Sequence, residues 1–254
     1  MSISALVLAA GEGSRMKSAL PKPLHLVAGR SMLMHVINSL GDLTLTSTVV
    51  VVGHCAEQVI DHVNTHAPTW AHICFATQVH QHGTGDAASV GLVALPHEDA
   101  ATTILVLPGD TPLLSRATIS QLITEHESSG LAVTVLTSVV QDPTGYGRII
   151  RDNDGHVLAI VEQRDATASQ VMIKEINTGI YAFRRELLAP ALSKINTNNS
   201  QSEYYLTDVI ALLETAGHKI GAVKSDSSET AGVNDPVQLA EAQRQMQARL
   251  NPSG

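Results

Sequence analysis

Near its start the chain gathers residue types suited to holding a polyphosphate. Leu8-Ala9-Ala10-Gly11-Glu12-Gly13-Ser14-Arg15-Met16 is followed by Leu20-Pro21-Lys22-Pro23-Leu24. Glycines let a backbone turn sharply and approach a ligand, and exposed backbone N–H groups cradle phosphate oxygens. Arg15 and Lys22 add two positive charges. The loop is neither a dinucleotide fingerprint, because Met16 stands at the third glycine position, nor a P-loop, which ends Gly-Lys-Ser/Thr. Pro21 and Pro23 block a helix directly after it, so the next helix is expected from Ser31, a good N-cap.

Further groups invite a chemical and a plainer reading together. Asp110, in Leu107-Pro108-Gly109-Asp110-Thr111-Pro112, suits a hard cation such as Mg²⁺, or forms a turn or helix cap. Asn234 offers a second oxygen, or caps the following helix. Gln78 can read a base edge, with Gly83 and Thr84 beside it; equally, Thr84 or Asp86 can cap a helix. Asp142-Pro143-Thr144-Gly145-Tyr146-Gly147-Arg148 has glycines that admit a ligand, and Glu162 and Asn177 can bind sugar hydroxyls. Glu203-Tyr204-Tyr205-Leu206-Thr207-Asp208 opens another helix. No Gly-x-Ser-x-Gly nucleophile elbow occurs, so positioning and charge stabilisation fit better than covalent catalysis.

Apolar runs at Ile3–Ala9, Thr48–Val52, Ile73–Ala76, Thr103–Leu107, Ala132–Val140 and Ile176–Phe183 read as strands. Helical patterns at Ser31–Leu40, Ala56–Thr65, Asp86–Leu95 and Ile119–Ser128 separate the early ones. This alternation predicts an α/β fold with a Rossmann-like, mostly parallel sheet and helices on both faces. Ligands in such sheets bind beyond the carboxyl ends of the strands. After about residue 140 the rhythm shortens: Arg148–Arg151 and His156–Glu162 flank Asp154-Gly155, a hairpin signal. A smaller lobe is expected over about 140–205, an exposed loop at Asn196–Gln201, a last helix over Asp235–Leu250 and a disordered tail at 251–254.

The chain has 254 residues, 44% of them hydrophobic but only 3% aromatic, so aliphatic side chains must build the core. A net charge of −8 argues against general nucleic-acid binding, which needs a basic surface. Cys55 and Cys74 make no disulfide framework, which points to a reducing, cytoplasmic setting. No signal peptide and no membrane-spanning stretch is read. The twelve histidines, His80-x-His82 included, lack the spacing of a transition-metal site.

The order and spacing of these motifs over about residues 3–240 resemble the sugar-phosphate nucleotidyltransferases, most of all their bacterial N-acetylglucosamine-1-phosphate uridyltransferase branch. The resemblance implies a mixed sheet of the nucleotide-diphospho-sugar transferase type with a sugar-binding lobe. It implies Mg²⁺-dependent uridylyl transfer from UTP to N-acetylglucosamine-1-phosphate, within a nucleotidyltransferase domain over 1–234. On it, Leu8, Ala10, Gly11 and Gly13 line the nucleotide site, and Gln78, Gly83 and Thr84 hold uracil. Arg15, Lys22 and Asp110 are catalytic, with Asp110 and Asn234 on the metal. Gly147, Glu162, Asn177, Tyr205 and Thr207 hold the sugar. No hexapeptide repeats follow, so acetyl transfer and coenzyme A binding are not expected of these residues, and oligomeric state is left open. Another NTP or sugar phosphate, or a non-catalytic nucleotide-sugar binder, are the alternatives.

Overall fold

A computed structural model describes residues 2–96 and 102–251; the expected disorder at Pro252–Gly254 lies outside them. In chain order the elements are β1 (Ile3–Leu8), β2 (Leu26–Val27), β3 (Arg30–Ser31), α1 (Met32–Ser39), β4 (Leu45–Val52), α2 (Ala56–His66), β5 (Ile73–Thr77), α3 (Thr84–Val93), β6 (Thr103–Pro108), α4 (Arg116–Ser128) and β7 (Val133–Val139). Then come β8 (Arg148–Arg151), β9 (Val157–Val161), β10 (Glu175–Arg184), α5 (Arg185–Leu192), α6 (Asp208–Thr215), β11 (Ile220–Ser225), α7 (Ser227–Thr230) and α8 (Pro236–Leu250).

The central sheet has the order β11-β7-β10-β6-β1-β4-β5. Its β6, β1, β4 and β5 are mutually parallel, as are β7 and β11. β10 runs antiparallel to both β6 and β7, which makes the sheet mixed. The β8–β9 hairpin joins the same strand through Ile176 opposite Arg148. Its Asp154-Gly155 turn has Gly155 at φ 87°, where a side chain would be strained.

Strand alternation divides the core in two. Leu6, Val49, Val51, Ile104 and Val106 pack with α3, α5 and α6 on one face. Ala5, Val7, Val50, Val52, Leu105 and Leu107 pack with α1, α2 and α4 on the other. Each large aliphatic side chain so buried stabilises the fold by about 1.5–3 kcal/mol against exposure. On α3 the buried residues are small, Gly85, Ala87, Ala88 and Gly91. They let the helix lie against the sheet: a Cβ on Gly91 would stand 2.8 Å from Val51 Cγ2. α8 docks separately, through Leu239, Ala242 and Met246 against Val27, Met32, Leu113 and Val233.

Ser31 caps α1, its side chain accepting from the Met34 N–H, and Asp235 caps α8 by accepting from Gln238. Two helices start earlier than their apolar patterns do. α4 begins at Arg116 because Ser115 caps it by accepting from Thr118 N–H. α3 begins at Thr84 with Gly83 as its N-cap and no side-chain cap, so neither Thr84 nor Asp86 has that role. No helix among the described residues is long and apolar enough to cross a membrane. The few aromatics are unevenly placed. Trp70 packs on the core beneath α1 and α2, whereas Tyr146, Tyr181, Tyr204 and Tyr205 all lie on segments near the carboxyl ends of the central strands.

Candidate active site

A cavity of about 470 Å³ opens beyond the carboxyl ends of β1 and β6. The end of β1 and the loop after it give Leu8, Ala10, Gly11 and Lys22; the β5–α3 connection and the first residue of α3 give Gln78, Gly83 and Thr84. Asp110 follows β6, Glu162 follows β9, Asn177 lies on β10 and Thr207 precedes α6, and all of these line the cavity.

At one end Lys22 joins distant parts of the chain. Its ammonium donates to the Asp110 carboxylate and, at 2.8 Å, to Asn234 Oδ1. The two oxygens expected on a metal therefore converge on a single cationic atom. Hard oxygen donors gathered on one cation are the ligand chemistry of Mg²⁺, so Asp110 and Asn234 fit such an ion. Gly13 allows this arrangement: it sits at φ 63°, and a Cβ there would stand 2.5 Å from the Lys22 Cβ. Gly13 and Arg15 do not themselves line the cavity, and Arg15 is exposed. The Tyr146 phenol is pushed up by burial and by the Asp110 charge, and its oxygen accepts from the Gly232 N–H, which opposes that rise. This bond ties the Asp142–Gly147 loop to the segment that carries Asn234.

At the end formed by the β5–α3 connection, Gln78 is buried. Its Nε2 donates to the Gly83 carbonyl at 3.1 Å and to Asp86 Oδ2 at 2.7 Å. Gly83 adopts φ 108°, and a Cβ there would meet the Tyr204 carbonyl at 2.6 Å. Thr84 Oγ1 accepts from Leu206 N–H at 3.1 Å, fastening α3 to the Glu203–Thr207 segment.

The third end is enclosed. Asn177 Nδ2 donates to the Tyr181 hydroxyl at 2.6 Å, and its Oδ1 accepts from Gly179 N–H at 3.1 Å. Thr207 Oγ1 donates to Glu162 Oε1 at 3.2 Å. Burial raises the Glu162 carboxyl above its ordinary range, and the charges of Asp208, Asp165 and Glu203 push the same way. Gly147 lies behind this pair: a Cβ on it would be 3.5 Å from both Asn177 Cβ and Glu162 Oε1. Tyr205 is buried beside the cavity without lining it, and its hydroxyl accepts from Gln201 Nε2 at 2.9 Å.

The structure also brings in residues that motif reading did not select, notably Tyr181 and Gln81. Tyr181 shares the period-2 face of β10 with Asn177 and Gly179, and that spacing was the available signal. Among the described residues one His/Asp/Glu group could ligate a metal, Asp152, Asp154 and His156. It lies in the β8–β9 turn, where Asp152 Oδ1 already accepts the backbone N–H groups of Asp154 and His156.

Residues 5–196 match the MobA-like NTP transferase domain. The chain belongs to this family. It is 48% identical over 248 residues to a protein of Thermobifida fusca named "Bifunctional protein GlmU", covering 96% of this chain and 51% of that protein. A Streptomyces avermitilis protein of the same name is 51% identical over 247 residues, covering 96% and 50%. The chain thus spans about half the length of the curated relatives it matches. The crystal structure of HddC from Yersinia pseudotuberculosis complexed with GMP-PN superposes with a TM-score of 0.68. It covers 96% of this chain and 99% of that one at 20% identity, so it establishes the shared nucleotidyltransferase fold.

Proposed function

We propose that the chain transfers a uridylyl group from UTP to N-acetylglucosamine-1-phosphate, giving UDP-N-acetylglucosamine and pyrophosphate. The observation that carries this reading is the convergence of Lys22, Asp110 and Asn234 at the mouth of a cavity whose other ends suit a base and a sugar. The similarity to the two bifunctional relatives over half their length supports the substrate pair. The thiols of Cys55 and Cys74 are in keeping with a reducing cytoplasm.

In this mechanism an oxygen of the sugar phosphate forms a bond to the α-phosphorus of UTP. The bond from that phosphorus to the bridging oxygen breaks, and its electrons leave with pyrophosphate. Asp110 and Asn234 would hold a Mg²⁺ ion, which when bound would supply charge neutralisation to the phosphates. Lys22, freed from Asp110, and Arg15 at the loop rim neutralise the leaving pyrophosphate. Leu8, Ala10 and the Gly11–Gly13 backbone cradle the nucleotide, and Gln78, Gly83 and Thr84 hold uracil. Asn177, Glu162 and Thr207 bind the sugar, with Gly147 making room and Tyr205 supporting the wall. Such catalysis rests on positioning and electrostatics.

The test is pyrophosphate release with Mg²⁺ over a panel of NTPs crossed with sugar-1-phosphates. Release confined to UTP with N-acetylglucosamine-1-phosphate is expected. Turnover with another pair would overturn the substrate and keep the reaction class. No release with any pair would overturn the reading.

A further inference from the structure

The Gln78 amide can face its surroundings in only one way. Its NH₂ group lies between the Gly83 carbonyl and the Asp86 carboxylate, at 3.1 Å and 2.7 Å. A carbonyl and a carboxylate offer acceptors, so an inverted amide would set three oxygens against one another. Both Nε2 hydrogens are consumed, so the one polar group of this amide left to meet a ligand in the cavity that Gln78 lines is its Oε1, an acceptor. Beside it, Gly83 and Thr84 begin α3 and also line the cavity. The first N–H groups of a helix have no intrahelical acceptor. The base-reading wall therefore combines one fixed acceptor with backbone donors.

Uracil is complementary to that wall: its N3–H donates and its flanking carbonyls accept. Cytosine inverts the pattern, with a bare N3 and an amino group at C4. We propose that Asp86 is a specificity-determining residue, which locks the Gln78 amide as an acceptor and so restricts the site to pyrimidines carrying a ring N3–H. Asp86 acts as a positioning residue, through Gln78. Its place in the first turn of α3 suits a negative charge, which the helix N-terminus favours. The inference rests on the reading of the cavity as a nucleotide site and is independent of which sugar phosphate accepts the group.

The experiment is calorimetric titration of the whole chain with UTP, CTP and N3-methyl-UTP in Mg²⁺, with no sugar phosphate present. The unmodified protein is expected to bind UTP about tenfold or more tightly than either analogue, the discrimination expected of a base-edge contact. Asp86→Asn keeps the size of the side chain but removes its charge and can present an NH₂ group, so the lock on Gln78 is left to the Gly83 carbonyl alone and the inverted amide becomes accessible. The UTP-to-CTP preference is expected to fall about tenfold while phosphate-dependent affinity persists. An unchanged preference in Asp86→Asn would overturn the proposal. So would equal binding of UTP and N3-methyl-UTP by the unmodified protein, a result that needs no variant to fold. Nucleotide binding without turnover on any sugar phosphate would count against the proposed reaction alone. Binding of no nucleotide would remove both.

Discussion

Two of the cavity's three ends are built on opposite principles. The end proposed for the sugar is finished: Asn177, Thr207 and Tyr181 are buried, Asn177 already bonds the Tyr181 hydroxyl and the Gly179 N–H, and Thr207 bonds Glu162. The end proposed for the phosphates is an irregular loop with Gly11 and Arg15 exposed, and its lysine is bound to the two groups proposed to hold a metal. A preformed hydrogen-bonding wall loses little entropy on binding, so its contribution goes to recognition. A charged end whose partners must exchange gives its contribution as phosphates and cation arrive together. Selectivity is thus assigned to the enclosed end and catalysis to the open one.

Substitutions at the open end should then act on rate, and those at the enclosed end on affinity. The largest effect is expected from Asp110→Ala, which removes a proposed metal ligand and the partner of Lys22. Turnover should fall by about 10²–10³ or more with an unchanged circular dichroism spectrum; rates like those of the unmodified protein would sink the metal assignment. Next comes Lys22→Ala, expected to lower kcat/KM by about 10². It should also tighten Mn²⁺ binding measured by electron paramagnetic resonance without nucleotide, because no ammonium then competes for Asp110 and Asn234. Weaker Mn²⁺ binding would show that Lys22 organises those oxygens instead of occupying their place.

At the enclosed end Tyr181→Phe deletes the acceptor of the Asn177 Nδ2 hydrogen. The KM for the sugar phosphate should rise roughly tenfold, the worth of about one hydrogen bond, with the KM for UTP unchanged. A parallel rise in both would erase the division between the ends. The smallest effect concerns stability. The Glu162 carboxyl is raised in the folded protein, so the unfolded chain releases its proton first as pH increases. The cost to folding starts near the ordinary glutamic value, grows up to the raised one, and is constant above it. Glu162→Gln should therefore gain in Tm over the unmodified protein as pH rises through that window, with no such gain at lower pH. A difference independent of pH would mean that the carboxyl is not desolvated.

Much of the scaffold was legible because it obeys local rules. Four-residue runs such as Val49-Val50-Val51-Val52 announce a strand covered on both faces, and Ser31 and Asp154-Gly155 carry their own cap and turn chemistry. The placement of β10 was not readable from periodicity, since an apolar run does not reveal its direction; only the family resemblance implied a mixed sheet. The starts of α3 and α4 were misjudged because their first turns carry polar residues ahead of the apolar pattern. In the site, residue types pointed to Lys22, Asp110 and Asn234 separately. Their meeting is a tertiary fact, spanning 88 residues in one bond and 212 in the other. The bond from Gln78 to Asp86 escaped for the same reason, since nothing in a linear spacing says which amide hydrogen faces which oxygen, whereas Tyr181 was within reach of the period-2 face it shares with Asn177.

The uneven placement of the aromatic residues has a practical consequence. The single tryptophan packs on one face of the sheet, and Tyr181 and its neighbours belong to the other side and to the cavity rim. The molecule therefore carries two separate optical reporters. Excitation at the red edge of the absorption band addresses Trp70 and follows the integrity of the scaffold. Ultraviolet difference spectra of the four phenols follow what happens at the cavity. Unfolding and ligand entry can thus be watched independently in one unlabelled sample.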